Sequence, residues 1–565
     1  MTNQHQGNTA LQWTNTFFRA LYKYGIEHVV VSPGSRSTPL TLAVASNPNI
    51  QKHVILDERS AAFTALGIGK ATNIPAILVC TSGTALANYY PAVIEARQSG
   101  IPMILATADR PPHLRATGAN QAIDQLNMFG DYPVFFHEVG EPKSNKKDLN
   151  RLKILAQQSI SISREKRGPV HLNFPFRKPL EPTDEVLTQV EKENQSQPNS
   201  GKENNNSPTS LRLGAALQET LSSAQKPLII IGPTAPSDDM DSISKLANQL
   251  DAPILSESFI NSSQTIHRFA GFLRNEHKRN QLEPNVILRF GFQPTTKSLE
   301  MALKEWKPEH HFHFASTDAW QDATFSEAER IPWMGQKIHM NNTFTLNNTN
   351  WMDSWKKTEH DFSNYYQQTI SQHSELTDGS IYHQLTGQIP QDHFIAVSNS
   401  FPARDINLFG KHPSDSLLFL NRGASGIDGV TSTAIGIAKG LKKSGILFTG
   451  DLAFLHDTNA LLSHKNMNQS LVIVVINNRG GSIFRMLPIH DNKQHFEPYF
   501  ETPQNTNIST LVNAYGISHF LISSLSELKK VDLNSISRQT NRLSIIECQT
   551  NADASMQLRK QLWNY

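Results

Sequence analysis

Two hydrophobic patterns alternate along this chain. Short apolar runs rich in β-branched residues are separated by longer stretches whose apolar positions recur at helical spacing. Near the start, TALQWTNTFFRALYKYG reads as an amphipathic helix closed by Gly25. HVVVS follows as a strand, then PGSRSTPL as a turn into a helix with Pro39 near its start. HVILD, AILVCTSG and PMILATAD repeat the theme. PLIIIGP, APILSES and NVILRFG continue it. The last stretch offers HFIAVSNS, SLLFLNRG, GILFTGD, SLVIVVINN and RLSIIEC. Apolar strands separated by helices predict parallel sheets covered on both faces. The expected fold is α/β, with three doubly wound parallel-sheet domains.

The polar stretches set the expected boundaries. EKENQSQPNSGKENNNSP, Glu191 to Pro208, has no apolar period and reads as a mobile linker. Between Asn342 and Ser374 the chain is polar again, but Trp351, Trp355 and Phe362 recur at helical spacing, which predicts a connecting helix. The expected layout is a domain at 1–188, a linker at 189–208, a domain at 209–345, a connecting segment at 346–374 and a domain at 375–565.

Composition removes several function classes. A length of 565 residues exceeds what one core supports. The formal charge of +2 argues against a nucleic-acid footprint or a polybasic membrane face. The two cysteines, Cys80 and Cys548, lie in apolar runs and read as buried thiols, in keeping with a reducing compartment. MTNQHQGNTALQW has neither a basic start nor an apolar core, so no signal peptide is read, and no apolar run reaches the length of a membrane span. A cytoplasmic protein is expected.

The stretch from Gly445 to Phe484 carries the chemistry. GILFTGD and SLVIVVINN are joined by one helical crossover, so their carboxyl ends share an edge of the sheet. Asp451 and Asn478 should therefore lie close together where α/β sheets bind ligands. One carboxylate and one amide oxygen suit Mg²⁺, which takes few protein ligands and completes its octahedron with water and phosphate oxygens. The turn at Gly480 and Gly481 offers a backbone carbonyl as a third ligand. Ser482 onward reads as a helix whose N-terminus faces a phosphate.

The pairing of GDL with NN resembles the signature of thiamine diphosphate enzymes. SPGSRSTPL, DERSAAFTALGIGKAT, TSGTALANYYPAVIEA, TADRPP, GANQA, NRGASGIDG and NNRGGSIF are similar, in order and spacing, to the MenD family within that class. The resemblance covers nearly the whole chain except the linker and parts of the middle block. It implies pyrimidine-binding, central and pyrophosphate-binding domains, and thiamine diphosphate with Mg²⁺ or Mn²⁺ as cofactors. The implied reaction is decarboxylation of 2-oxoglutarate and addition of the succinic semialdehyde carbanion to isochorismate, within menaquinone synthesis. A homodimer or homotetramer is implied, because Glu58 of one chain would serve the cofactor held by another. Rival readings are a different thiamine-dependent decarboxylase or ligase, and a non-catalytic binding module on the same fold.

Site residues carry over by motif. Glu58, in DER, is implied as the acid beside the aminopyrimidine, and in an apolar cleft its pKa should rise. Asp451, Asn478 and Gly480 are the implied metal ligands. Ser425, Gly426, Gly450, Leu452, Ile483, Phe484 and Leu487 are implied to line the cofactor, the last three equally open to ordinary core packing. For dicarboxylate substrates the planar fork of arginine is suited. Arg36, Arg404 and Arg422 all follow predicted strands, and Ser35, Asn120, Gln121 and Ser400 occupy matching motif positions. In TTKSLEM, Lys297 matches the first of a Lys-Arg pair often seen in the family, but Ser298 stands where Arg would.

Two further motifs read as structural. In EHHFHF, His311 and His313 share a strand face without an acidic or Cys partner at suitable spacing. The glycines of RGASGIDG do not form a GxGxxG opening a helix, which argues against a nicotinamide enzyme.

Overall fold

A computed structural model describes residues 4–196, 210–236, 238–258, 260–315, 322–326, 328–339, 350–411, 416–539 and 542–565. The chain forms two compact units. One comprises Met1–Asn205, Asn421–Lys442 and His456–Met467; the other comprises Asn206–Leu420, Lys443–Leu455 and Asn468–Tyr565.

The first unit is built on a six-stranded parallel sheet. Its strands are β1 (His28–Val31), β2 (Gln51–Val54), β3 (Ala76–Cys80), β4 (Met103–Asp109), β5 (Phe135–Glu138) and β6 (Pro169–Pro175), in the order β2-β1-β3-β4-β6-β5. β1, β3, β4 and β6 are buried along their whole length, as interior strands of a parallel sheet covered on both faces are. β2 is an edge strand and departs from the expectation of a covered run: Val54 is 60 % and Leu56 67 % exposed. The opening helix spans Gln4–Lys23, and Gly25 follows at φ +92°. Helix Glu58–Thr72 packs against helix Val430–Leu441 at glycines: a Cβ on Gly67 would overlap the Thr433 carbonyl, and one on Gly436 the Thr64 carbonyl.

The second unit holds the other sheets. β8 (Pro227–Ile231), β9 (Ile254–Ser256), β10 (Val286–Phe290), β11 (His310–Ala315) and β12 (Glu329–Pro332) form a parallel sheet in the order β12-β11-β10-β8-β9, with β7 (Ser210–Arg212) and β13 (Lys337–His339) as a separate pair. β14 (Phe394–Val397), β15 (Leu418–Leu420), β16 (Gly445–Gly450), β17 (Leu471–Asn477), β18 (Ser518–Ile522) and β19 (Leu543–Gln549) form a parallel sheet ordered β15-β14-β16-β17-β19-β18. The expected connecting helix is present as Trp351–Gln372, with Trp355, Phe362 and Tyr366 fully buried in a core shared by both sheets. Trp351 donates its indole N–H to the Pro227 carbonyl at 2.8 Å.

Three expectations need correction or restriction. The residues read as the start of a mobile linker belong to helix Asp184–Gln195, whose polar residues face solvent around buried Val190 and Asn194; the remainder of that linker lies outside the described residues. Residues 342–349 of the connecting stretch also lie outside them. The helix expected from Ser482 is only a 3₁₀ turn, Ser482–Met486, ended before Pro488, which has no N–H to continue it. As expected, Cys80 and Cys548 are buried free thiols, and the His311–His313 stretch is a strand, with His313 hydrogen-bonded to Arg289 and the Gly291 carbonyl. Among the described residues no helix is long and apolar enough to cross a membrane.

Candidate active site

In the second unit, β16 and β17 run parallel and in register, with Gly450 opposite Ile476. The side chain of Asp451 and the turn after β17 therefore emerge at one edge. There the backbone N–H of Gly480 donates to Asp451 Oδ2 at 2.7 Å, and that of Leu452 donates to Oδ1 at 2.9 Å. Gly480 has φ +126°, and a Cβ on it would overlap the Glu501 carbonyl, so only glycine makes this turn. Asn478, two residues earlier, donates its Nδ2 to Asp378 at 3.1 Å.

Asp451 is 4 % exposed, and burial pushes its carboxyl up to about 7. The backbone donors of Leu452 and Gly480 pull the value back, and the charge of Asp378 adds to the rise. A buried carboxylate with no ion pair among the described residues, beside an amide and a glycine turn, is a donor set that a hard divalent ion fits. Among the described residues no cluster of three His, Cys, Asp or Glu side chains forms, so further ligands would be carbonyls, water or phosphate oxygens.

The end of β14 lies alongside, since Gly450 N–H donates to Ser398 Oγ at 3.4 Å. Ser400 holds φ +72° and ψ −136°, a strained backbone for a residue with a side chain, and opens helix Phe401–Phe409. Arg404 on that helix donates to the Ser400 carbonyl at 2.8 Å. Asn407 on the same helix donates to Thr296 Oγ1 at 3.3 Å, which brings the Lys297 turn to it. Lys297 is exposed and pairs with Glu300 at 3.0 Å. Ser298 is buried and donates to the Ala270 carbonyl at 3.1 Å, so this position faces packing and not a cleft. Phe484 and Leu487 are exposed, so they are not core residues here, and Ile483 is half-buried.

In the first unit, the turns after β1 and β3 meet. Arg36 N–H donates to Thr81 Oγ1 at 3.2 Å. Its guanidinium, 4 % exposed, donates to the Phe176 carbonyl at 2.7 Å, and its Nε is buried with no hydrogen-bond partner among the described residues. Ser35 is exposed, and its carbonyl accepts from Thr38 N–H at 3.1 Å. Gln121, at φ +58°, donates Nε2 to the Ser82 carbonyl at 2.9 Å, which joins the exposed Asn120–Gln121 turn to the same edge.

Glu58 begins helix Glu58–Thr72 behind the cap Asp57, whose carboxylate accepts from Arg59 N–H at 2.9 Å. It is half-buried. Burial raises its pKa, a backbone hydrogen bond opposes the rise, and the Asp57 charge adds to it. Arg59 donates to the His456 carbonyl at 2.8 Å, and Asn459 donates to Asp57 at 2.8 Å, so the start of this helix is held from both sides.

The loop bearing Arg422, Ser425 and Gly426 is gripped by a residue the sequence did not single out. Buried Glu95 accepts from Gly423 N–H at 2.9 Å and Ala424 N–H at 2.7 Å. Buried Lys70 adds a bond to Asn421 at 3.0 Å. A glutamate and a lysine on the apolar faces of predicted helices were the available signal. Asp378 and Arg559 were missed in the same way.

Similarity to known proteins defines the class as a thiamine diphosphate enzyme. The family "Thiamine pyrophosphate enzyme, N-terminal TPP binding domain" matches residues 12–128, and its C-terminal TPP binding domain matches residues 409–548. The chain is 35 % identical to a 2-succinyl-5-enolpyruvyl-6-hydroxy-3-cyclohexene-1-carboxylate synthase of Gloeothece citriformis, over 96 % of both chains. It is 33 % identical to the Bacillus velezensis synthase of that name, over 98 % of this chain and 97 % of that one. The Haloarcula marismortui synthase is 34 % identical over 98 % of each. The chain belongs to this synthase family, the MenD family. It is an enzyme, which removes the reading of a non-catalytic module.

Proposed function

We propose that the enzyme decarboxylates 2-oxoglutarate and joins the remaining four-carbon unit to isochorismate, in menaquinone synthesis, with Mg²⁺ or Mn²⁺ beside thiamine diphosphate. The observation that carries this is the buried Asp451 carboxylate, fixed at 2.7 Å to Gly480 N–H beside Asn478 at the ends of neighbouring parallel strands. When bound, thiamine diphosphate supplies the electron sink that lets a 2-oxo acid lose carbon dioxide. Asp451, Asn478 and the Gly480 carbonyl would hold the cation. Ser425, Gly426, Gly450 and Leu452 would contact the cofactor, and Ile483, Phe484 and Leu487 would offer it apolar surface.

Glu58 holds or releases a proton at its carboxyl, a task its raised pKa favours. Arg36, Arg404 and Arg422 receive the substrate carboxylates, with Ser35, Asn120, Gln121 and Ser400 as hydrogen-bonding partners. The unpartnered Nε of Arg36 supports this part of the reading. Lys297 is a peripheral contact. The three-domain layout at 1–188, 209–345 and 375–565 is retained because each stretch contains its own parallel sheet.

A homodimer, or a tetramer of two dimers, working in the cytoplasm completes the proposal. Exposed Val54 and Leu56 precede Glu58 in sequence and are surface that a second copy would cover. Incubation with 2-oxoglutarate, isochorismate, thiamine diphosphate and Mg²⁺, followed by mass spectrometry, tests the reaction. The adduct with loss of carbon dioxide is expected. Turnover of 2-oxoglutarate to free succinic semialdehyde alone, equal with and without isochorismate, overturns it.

A further inference from the structure

A second buried carboxylate touches the same turn. Asp378, 1 % exposed, opens helix Asp378–Leu385. Its Oδ2 accepts from Asn478 Nδ2 at 3.1 Å and from an Arg559 Nη at 2.7 Å. Its Oδ1 accepts from Thr550 Oγ1 at 2.6 Å and Ser555 Oγ at 3.1 Å. Arg559, also 1 % exposed, comes from helix Ala552–Trp563. It holds Asp405 as well, through Nε at 2.9 Å and through a second bond from Nη2, and it lies 3.7 Å from the Phe401 ring centroid. Two carboxylates thus share one guanidinium in the interior.

The two ends of a carboxamide have nearly the same shape, so sterics do not decide which end faces a neighbour. Charge decides it here. An ionised carboxylate only accepts, and the partners of Asp378 are all donors. Asn478 must therefore give it the NH₂ end. The amide oxygen, the only end able to bind a cation, is turned away from Asp378. Reversal would put the NH₂ end toward the cation and leave two oxygens facing each other.

We infer that Asp378 is a positioning residue that locks the carboxamide of Asn478 in its ligating orientation, with Arg559 holding Asp378 in place. The inference rests on the proposed role of Asn478 as a metal ligand. Outer-shell groups of this kind change metal affinity by about 10- to 100-fold.

The test is the apparent Kd of Mn²⁺, read from the electron paramagnetic resonance of the free ion, with thiamine diphosphate present. Asp378→Asn can donate to the amide oxygen and permits reversal; it should raise the Kd about 10- to 100-fold. In an Asn478→Ala background the same change should add no further loss. Thr550→Val removes another donor to the same carboxylate and should leave the Kd unchanged, even where it lowers the melting temperature. Asn478→Asp leaves Asp378 intact and adds ligand charge, yet should bind Mn²⁺ more weakly, because two carboxylates then face each other. This variant keeps the inference testable if Asp378→Asn does not fold. Wild-type Kd in Asp378→Asn, additive loss in the double variant, equal loss in Thr550→Val, or tighter binding in Asn478→Asp overturns it. Wild-type protein that holds no Mn²⁺ overturns the metal reading together with the inference. Wild-type protein that holds Mn²⁺, beside an unaffected Asp378→Asn, overturns the inference alone.

Discussion

Gly480 donates its backbone N–H to Asp451 Oδ2 at 2.7 Å across the ends of two neighbouring parallel strands. The bond ties a turn that only glycine can make to a carboxylate that burial holds partly protonated. Both halves of the arrangement make sense around a cation. The ion would restore the carboxylate's charge, and the turn frees carbonyl oxygens.

Gly480→Ala is expected to damage this edge. The added methyl meets the Glu501 carbonyl, and φ +126° is unsuited to any residue with a side chain. Such backbone strain costs about 1–3 kcal/mol. Thermal denaturation should register the loss, and metal-dependent cofactor binding should weaken with it.

Glu58→Gln is expected to lower kcat by about 10²- to 10⁴-fold, the usual contribution of a positioned proton-transfer group. The melting temperature should stay close to that of the wild type, because the helix cap is Asp57 and not Glu58. Steady-state kinetics with a parallel melt checks both halves.

Arg36→Ala is expected to raise KM for a carboxylate substrate more than it lowers kcat. Losing one charge-assisted hydrogen bond costs about 1.5–3 kcal/mol. The bond to the Phe176 carbonyl is lost as well, so the melting temperature should also fall. A lower melting temperature with unchanged KM would make the residue structural.

Stability should depend on pH through buried His171. Burial lowers its pKa to about 3, so the folded chain leaves it neutral while the unfolded chain protonates it below the ordinary value of 6.5. Its contribution is complete above 6.5 and is lost as pH falls toward 3, by about 1.4 kcal/mol per pH unit. Asp457, pushed up to about 6 by burial, acts in the opposite sense: its contribution is complete below 3.8 and lost as pH rises through 6. The clean observable is therefore the difference in denaturant stability between wild type and His171→Gln, which should shrink from pH 7 to 5.

Most interior strands were legible because a strand buried on both faces is largely apolar, as β3, β8, β16 and β17 are. The strands that escaped notice carry polar residues. β5 and β18 are sheet edges with half-buried or exposed faces. β6 is interior, but it contains the buried polar residues His171, whose Nε2 meets Thr107, and Asn173, which Gln125, Asp109 and Glu138 hydrogen-bond. The reactive ends of strands were legible through short motifs. The groups that hold those ends, Glu95 and Asp378, were not. Their partners lie as far as 329 residues away in sequence for Glu95 and 181 for Asp378, and no local pattern encodes such pairings.

Calorimetric titration of thiamine diphosphate into the purified enzyme, with Mg²⁺ and then with a chelator, tests the central claim most directly. Saturable binding with Mg²⁺, absent with the chelator and absent in Asp451→Ala, is the predicted result. Binding of equal strength without a divalent ion, or undiminished in Asp451→Ala, would contradict it.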